Sequence, residues 1–335
     1  MIITRTPFRI SFFGGGTDYP DWYKENGGLV ISSTIDKFCY ISLRHLPPFF
    51  QYKYRIRYFK NEYCVELGDI KHPTVKATLK YLAFDKNPIG IEILHNADLP
   101  ALSGLGSSST FTVGLLKALN YLIKRKTDKI TLANDAIIIE QNYVKDFVGS
   151  QDQVAASFGG LNYIKFDKRK ISTTSIEITA DIKRKVQNNF FLIYTGFQRK
   201  ANLITRNQVI KIKKKENDIY LNKMMQITDF AYKEIFSQSK LDLIRFSEAL
   251  NEQWHLKKNL TNNITNKKLD EIYELGLNNG ASAGKLLGAG GGGFFLFVVS
   301  DNNLFKFKKK FKNFLNVPFK LENKGSIIIF NKKNF

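Results

Sequence analysis

Residues 99–109, which read Leu-Pro-Ala-Leu-Ser-Gly-Leu-Gly-Ser-Ser-Ser, constrain this chain more than any other segment. Phe111, Leu115 and Leu119 follow it at the spacing of one helical face, which predicts a helix over residues 110–124. A glycine-rich turn just before a helix offers free backbone N–H groups, and the helix dipole adds positive charge there. The segment is therefore predicted to bind an anion, with an ordinary surface turn as the alternative.

The glycines and serines of this segment suit a phosphate ligand in particular. Gly104 and Gly106 allow backbone conformations and close approaches that other residues hinder, while the serine hydroxyls can bond phosphate or Mg²⁺. No lysine follows the glycines, so this is not the common G-x-x-x-x-G-K-[ST] loop. The residues predicted to contact a nucleotide are Ser103, Gly104, Leu105, Gly106, Ser107, Ser108 and Ser109.

The first half of the chain mixes strand and helix patterns. Residues 2–13 and 29–43 are rich in β-branched and apolar residues, which predicts strands on either side of a glycine-rich turn. A second helix is predicted over residues 131–145, with Thr131 as its N-cap. Residues 99–109, the predicted phosphate-binding segment, therefore lie between a sheet-rich region and two helices.

A change of character near residues 181–189 predicts a domain boundary. The chain becomes polar there and then enters an apolar strand. The predicted domains are residues 1–185, which carry the phosphate-binding segment, and residues 186–335, which combine long helical patterns with a closing strand at residues 326–330. A length of 335 residues agrees with two domains that share an interface.

Composition indicates a globular protein outside the membrane. The longest apolar run, residues 294–299, is far below the roughly 20 residues that a membrane-spanning helix needs. Arg5 interrupts the place where the apolar stretch of a signal peptide would form, so a cytoplasmic location and no membrane partner are expected. Cys39 and Cys64 lie in apolar, strand-like surroundings and are expected to be buried thiols.

A net charge of +21 leaves three interpretations open, namely solvated basic faces, attraction of small anionic substrates, and nucleic-acid binding. Lysines cluster at residues 211–215 and 306–312, and the second cluster alternates with phenylalanine as in an amphipathic helix. Solvated faces are therefore favoured, and no nucleic-acid partner is predicted.

The glycine run at residues 288–293 contains a formal G-x-G-x-x-G pattern, which could indicate a dinucleotide-binding fold. That fingerprint follows a strand and opens a helix, whereas this run follows a helical stretch and opens a strand. So many glycines instead predict the close approach of two backbones, or of a backbone and a ligand.

Three ordered motifs, at residues 6–19, 99–109 and 285–293, resemble those of the GHMP kinases, the galactokinase, homoserine, mevalonate and phosphomevalonate kinase family. The resemblance implies a two-domain α+β fold, with an N-terminal ribosomal-protein-S5-like domain and a C-terminal ferredoxin-like domain. It also implies ATP and Mg²⁺ as cofactors and a small-molecule acceptor. The first motif is most similar to that of the D-glycero-D-manno-heptose 7-phosphate kinases, which phosphorylate the anomeric hydroxyl in nucleotide-heptose synthesis.

The resemblance carries catalytic roles to four residues. Asp152 would be the general base, and Arg9 would contact it and stabilise charge on the transferring group. Ser108 and Glu140 would bind Mg²⁺. Capping or solvent-facing roles are the alternatives for the two acidic residues, and a strand-edge ion pair is the alternative for Arg9.

Substrate contacts are also expected from the resemblance. Asp18 would accept hydrogen bonds from sugar hydroxyls. No family motif identifies the ligands of the distal phosphate, for which the cationic residues Arg199, Lys200 and Lys257 are the candidates. A fucose- or galactose-like anomeric sugar kinase, and a relative that binds sugar and ATP without catalysis, stay open as alternatives. The protein would be a monomer or a homodimer. The predicted substrate-binding residues are Gly15, Gly16, Thr17, Asp18, Gly290, Gly291, Arg199 and Lys200.

Overall fold

The computed structural model describes residues 1–87, 89–197 and 202–332, whose strands form two sheets. The strands in chain order are β1 (Ile2–Phe13), β2 (Gly28–Leu46), β3 (Tyr54–Arg57), β4 (Asn61–Cys64), β5 (Gly90–Ala97), β6 (Leu161–Phe166), β7 (Ile171–Ser175), β8 (Phe190–Tyr194), β9 (Ala281–Leu286), β10 (Phe294–Val299), β11 (Asn316–Val317) and β12 (Ile327–Asn331).

Helices cover both sheets and fill the space between them. The α-helices are α1 (Pro20–Asn26), α2 (Pro73–Tyr81), α3 (Ser107–Leu122), α4 (Lys129–Ile138), α5 (Gln151–Phe158), α6 (Ala180–Asn189), α7 (Asn202–Lys213), α8 (Asp218–Phe230), α9 (Leu243–Asn259), α10 (Lys267–Asn278) and α11 (Leu304–Lys310). Among the described residues, none of these helices combines the length and apolar character needed to cross a bilayer.

The first sheet is built around the long strand β2. Its order is β12-β1-β2-β5-β3-β4, and β6 pairs with β2 and then with β7. The first half of β2 pairs with β6 and its second half with β5, while β1 runs antiparallel along its other edge. Strand β2 therefore brings the first motif, on β1, close to the segment around α5 that precedes β6.

The second sheet has the order β11-β8-β10-β9, and its pairs are antiparallel. Every residue of β10 is buried, which explains why this strand is a continuous apolar run rather than an alternating one. The polar stretch before β8 folds as helix α6, whose N-cap Thr179 accepts a hydrogen bond from the Ile182 N–H at 3.2 Å.

The last strand differs from the prediction. Residues 326–330 were expected in the second domain, but β12 pairs antiparallel with β1 in the first sheet. Pairing between distant segments depends on which edge is free, which local patterns do not encode. The boundary between residues 185 and 186 stays a prediction, and the described chain passes from the first sheet to the second between β7 and β8.

Two helix starts also differ from the prediction. Helix α3 begins at Ser107 instead of residue 110, with Gly106 as its N-cap at a φ of 81°, so the serines form its first turn. Helix α4 is capped by Asp128 and not by Thr131, because the Asp128 carboxylate accepts the Thr131 N–H at 2.8 Å. The predicted second helix continues beyond α4 as a π-helical turn, Ile139–Val144.

A cluster of phenylalanines joins the two halves of the molecule. Phe12 of β1 and Phe190 of β8 both pack edge-to-face on Phe246 of α9, at centroid distances of 5.7 and 5.1 Å. The buried core is continuous through this cluster. The two sheets therefore share one buried core.

Two smaller predictions are confirmed. Cys39 and Cys64 are buried free thiols. Helix α11 is amphipathic as predicted, because Phe307 is buried while Lys308, Lys309 and Lys310 face solvent.

Candidate active site

All three glycine-containing motifs line one cavity of about 190 Å³ between the two sheets. The first motif contributes Gly15, Gly16 and Asp18, and the start of α5 contributes Asp152. The phosphate-binding segment and the third motif line the same cavity, and a Cβ on Gly106 would lie 3.4 Å from Asp152 Oδ2. Segments separated by more than 100 residues thus meet at a single site.

The second and third motifs touch backbone to backbone. A Cβ on Gly104 would lie 2.6 Å from the Leu287 carbonyl oxygen, and one on Gly288 would lie 2.4 Å from the Gly104 Cα. Both glycines also have a positive φ, at 78° and 71°. The close approach predicted from the glycine run at residues 288–293 is therefore an approach of two backbones.

The residues of the phosphate-binding segment are divided between the cavity and the core. Ser103 and Leu105 are fully buried, so these two predicted nucleotide contacts do not offer side chains to the cavity. The Leu105 carbonyl instead accepts the Arg9 N–H at 3.0 Å. The predicted contacts that do line the cavity are Gly104, Gly106, Ser107, Ser108 and Ser109.

Arg9 and Asp152 form a bidentate ion pair at the cavity wall. Arg9 Nε lies 2.7 Å from Asp152 Oδ1, and Nη2 lies 2.7 Å from Oδ2. The remaining nitrogen, Nη1, donates to the Gly104 carbonyl at 2.8 Å. Arg9 is 4% exposed, whereas 23% of the Asp152 side chain is accessible. The guanidinium thus holds the carboxylate beside the phosphate-binding segment and leaves it open to a ligand.

Asp18 connects the first motif to the helix that carries Asp152. Its Oδ1 accepts the Gly16 N–H at 3.0 Å and its Oδ2 accepts the Gln151 N–H at 3.1 Å. Burial raises the pKa of Asp18, and the nearby charge of Asp152 raises it further. A sugar contact was predicted for Asp18, and the structure adds a positioning role that sequence reasoning missed.

Two other predicted substrate residues lie behind the cavity wall. Thr17 is fully buried, and its hydroxyl donates to the carbonyls of Gly14 and Leu29 at 2.8 and 2.9 Å, so it shapes the turn instead of facing a substrate. The Gly291 N–H donates to the Ile264 carbonyl at 2.8 Å, and its neighbour Gly290 lines the cavity.

The predicted phosphate ligands Arg199 and Lys200 lie outside the described residues.

Glu140 lies at the centre of a buried hydrogen-bond network. Its Oε2 accepts from Ser109 Oγ at 2.8 Å and from Gln153 Nε2 at 2.5 Å, and its Oε1 accepts from Thr112 Oγ1 at 2.6 Å. Ser108, the predicted second metal ligand, is exposed and lines the cavity, whereas the helical first turn points Ser109 inward. Ser109 is therefore the serine that contacts the predicted metal-binding acid.

The donor set at Glu140 fits a hard cation bound together with phosphates. In the described part of the chain, no group of three or more His, Cys, Asp or Glu side chains could hold a metal. Glu140 and the Ser108 and Ser109 hydroxyls would thus supply a partial oxygen shell. Mg²⁺ is often bound in this way, with one or two carboxylates completed by phosphate oxygens and water.

Burial gives Glu140 a measurable effect on stability. Burial raises the pKa of Glu140 from 4.5 to about 7, although the hydrogen bonds from its three donors lower this pKa. Between these two values the folded protein keeps a proton that the unfolded chain has lost. The contribution of Glu140 to the free energy of unfolding therefore falls as the pH rises from about 4.5 to 7.

Replacing Glu140 by Gln should remove this pH dependence. Relative to wild type, the free energy of unfolding of the variant should rise by on the order of 3 kcal/mol between pH 4 and pH 8. Urea unfolding of both proteins at the two pH values, in buffer with a metal chelator, measures this difference in the free energy of unfolding. The control is Glu25→Gln, which removes an exposed carboxylate. Equal differences between variant and wild type at both pH values would contradict the prediction.

Two lysines complete the cavity wall. Lys257, one of the residues predicted as a phosphate ligand, lies on α9, and Lys285 lies on β9. Sequence reasoning missed Lys285, although a lysine within an apolar strand next to the third motif is an available signal. Lys285 Nζ donates to the Ser11 and Phe12 carbonyls at 3.2 and 2.7 Å.

An enzyme that moves a phosphoryl group needs an anion-binding backbone turn opposite a proton acceptor, and it needs little covalent chemistry of its own. In this cavity, the N-terminus of α3 lies beside the pair formed by Arg9 and Asp152. The arrangement defines a small-molecule kinase.

Comparison with known proteins identifies the family. Residues 73–160 match the family model for the GHMP kinases N terminal domain, and residues 235–317 match that for the GHMP kinases C terminal domain. The chain belongs to the GHMP kinase family. It is therefore a transferase that phosphorylates an alcohol group, and its family uses ATP.

Individual relatives extend over nearly the whole chain. D-glycero-alpha-D-manno-heptose 7-phosphate kinase of Campylobacter jejuni is 30% identical over 319 residues, which span 92% of this chain and 93% of the relative. A solved D-glycero-D-manno-heptose 1-phosphate kinase from Bacteroides thetaiotaomicron matches with a TM-score of 0.79 and 20% identity, covering 99% of this chain and all of the other. The solved structure of Lactococcus lactis galactokinase matches with a TM-score of 0.72 and 20% identity, covering 97% of this chain and 94% of the galactokinase. The predicted two-domain α+β kinase fold is confirmed.

Proposed function

We propose that this kinase transfers the γ-phosphate of ATP to the anomeric hydroxyl of D-glycero-D-manno-heptose 7-phosphate and forms the 1,7-bisphosphate. The product would enter the cytoplasmic synthesis of nucleotide-activated heptose for a surface polysaccharide. The observation that carries the proposal is the accessible Asp152 carboxylate, held by Arg9 between the phosphate-binding segment and Asp18. The similarity to the Campylobacter jejuni heptose 7-phosphate kinase supports the choice of acceptor.

In the proposed reaction, Asp152 accepts the proton of the anomeric hydroxyl while that oxygen attacks the γ-phosphorus. The bond between the γ-phosphorus and the oxygen that bridges to the β-phosphorus breaks, and ADP leaves. Arg9 orients the carboxylate through two hydrogen bonds and places positive charge beside the transferring group. Asp18 would orient the sugar, as well as hold the first turn of α5.

The phosphate-binding segment would hold ATP through backbone N–H groups at the start of α3 and the hydroxyls of Ser107 and Ser108. Mg²⁺, which Glu140, Ser108 and Ser109 would hold together with ATP, would supply charge neutralisation for the phosphates. Because Glu140 has a pKa raised to about 7, cation binding should release a proton and weaken as the pH falls below 7.

A second candidate function is an anomeric kinase for an unphosphorylated sugar such as fucose or galactose. It would use the same Asp18, Asp152 and phosphate-binding segment. The third candidate, a protein that binds sugar and ATP without catalysis, is disfavoured because the base and its guanidinium partner are both present and paired.

The deciding experiment is an acceptor panel. The protein is incubated with Mg-ATP and heptose 7-phosphate, the same heptose without phosphate, galactose or fucose, and ADP release is followed with mass detection of the product. Turnover of heptose 7-phosphate to a bisphosphate is expected. If only unphosphorylated sugars react, the heptose phosphate assignment is wrong and the kinase class stands.

A DNA-retention assay tests the predicted absence of a nucleic-acid partner. Weak retention below 100 mM salt is the expected result, because binding by a basic surface would be tight and steeply salt-dependent there.

A further inference from the structure

Two buried lysines face the active-site cavity, and among the described residues neither forms an ion pair, although the charge of Asp18 raises the pKa of Lys285. Lys257 is 7% exposed and Lys285 is 2% exposed, and both line the cavity. Lys257 Nζ donates to the Leu286 and Gly288 carbonyls at 2.8 and 2.5 Å. In its protonated form each lysine has three N–H bonds, of which two donate to carbonyls, so one donor on each remains for an anionic ligand.

A buried ammonium without a counter-charge is costly. This cost appears in the pKa values, because burial lowers the pKa of Lys285 to about 7, although the charge of Asp18 raises it, and lowers the pKa of Lys257 well below its usual value. The two lysines and Arg9 also repel one another. Because both lysines line a ligand cavity, we expect the ligand itself to supply the negative charge that compensates them.

The hydroxyl of Ser11 is a third donor available to an anionic ligand in this cavity. Ser11 is buried and lines the cavity, and its hydroxyl has no hydrogen-bond partner among the described residues. A Cβ on Gly15 would lie 3.4 Å from Ser11 Oγ, so the hydroxyl faces the glycine turn of the first motif. The carbonyl of the same residue accepts from Lys285, which places an unused hydroxyl donor near an unused ammonium donor.

We propose that Lys285 and Ser11 form a subsite for a phosphate group carried by the acceptor sugar, whereas Lys257 adjoins the phosphate-binding segment through the Gly288 carbonyl. A phosphate dianion brings the missing charge and three strong acceptor oxygens. This inference rests on the proposed function and names the residues that recognise the distal phosphate.

The γ-phosphate of ATP is the other source of the same chemistry, and the location of Lys285 favours the acceptor. Its carbonyl partners, on Ser11 and Phe12, come just before the glycine turn that leads to Asp18. The phosphate-binding segment instead adjoins Arg9, which donates to Gly104. Lys285 is therefore on the acceptor side of the cavity.

The test is a comparison of two acceptors in Lys285→Met. KM for heptose 7-phosphate should rise about 10- to 100-fold, as expected for the loss of a hydrogen bond to a charged group. KM for ATP and KM for the unphosphorylated heptose should stay within about twofold of wild type. Lys309→Met, which removes one exposed charge on α11, is the matched control and should leave all three values unchanged.

Ser11→Ala keeps the proposal testable if Lys285→Met does not fold. It should raise KM for the phosphorylated acceptor alone, by about threefold to tenfold, because one neutral donor is lost. An equal rise in KM for both acceptors would show a structural role, and a rise confined to ATP would assign the lysine to the γ-phosphate. Either result overturns the subsite.

The acceptor panel on wild-type protein separates this failure from that of the proposed function. If wild type converts heptose 7-phosphate and neither variant changes its KM, only the subsite is wrong. If wild type rejects all phosphorylated acceptors, the proposed function and the subsite are both wrong.

Discussion

Asp152→Asn should lower kcat by about 10² to 10⁴, the usual contribution of a positioned proton acceptor. The amide has nearly the same shape as the carboxylate and can still accept from Arg9 Nε, but it cannot take up the proton of the attacking hydroxyl. KM for ATP should change little, because the phosphate-binding segment is untouched. Steady-state kinetics with coupled detection of ADP measures both quantities.

The control for this prediction is Asp128→Asn. Asp128 caps α4 through its side chain, and asparagine caps helices equally well, so one carboxylate is removed outside the cavity wall. Circular dichroism melting should show that the Asp152 variant is folded despite a weakened pair with Arg9. A kcat close to that of wild type in folded Asp152→Asn protein would exclude Asp152 as the base.

Gly149→Ala should reduce kcat/KM for the acceptor by at least about 10², because displacement of a catalytic group by about 1 Å can have this effect. A Cβ at this position would lie 2.0 Å from Asp18 Oδ2 and 2.6 Å from Asp18 Cγ. Asp18 would have to move, and the first turn of α5 would lose the carboxylate that accepts the Gln151 N–H. The sugar contact and the base would therefore be misplaced together.

Gly68→Ala is the matched control, since a Cβ on Gly68 has no other atom within 4 Å. It should behave as wild type. Binding of a fluorescent ATP analogue to Gly149→Ala should be nearly unchanged, which distinguishes a local displacement from unfolding. Normal kcat/KM in the Gly149→Ala variant would show that the contact between Gly149 and Asp18 relaxes without functional cost.

The glycine-rich motifs could be predicted because their requirements are local. Gly104 and Gly106 have φ values of 78° and 81°, which residues other than glycine rarely adopt. The glycines in the sequence therefore indicate the turn directly. The free N–H groups before a helix follow from the same local pattern. The glycine turn before a helix was therefore accessible from the residues alone, and the anion site stays a prediction that rests on it.

The contacts of single side chains were less accessible. That Ser109, the neighbour of the predicted metal ligand Ser108, contacts Glu140 was not evident from the sequence, because the predicted helix started three residues later, beyond both serines. A shift of one residue on a helix turns a side chain by about 100°, so an error in the start of a helix misassigns its buried face. The buried position of Thr17 was likewise not evident from the sequence, because it depends on the carbonyls inside the turn to which its hydroxyl donates.

The glycine turns, the order of the motifs and the resemblance to a kinase family were determined by the sequence itself, since each depends on neighbouring residues. Only the tertiary structure decided that Arg9 meets Asp152, 143 positions away, that Asp18 holds the helix of the base, and that Lys285 faces the cavity. These contacts depend on how β1, β9 and α5 pack around a shared aromatic core. No local pattern encodes such long-range geometry, because it follows from the simultaneous burial of apolar faces that are distant in sequence.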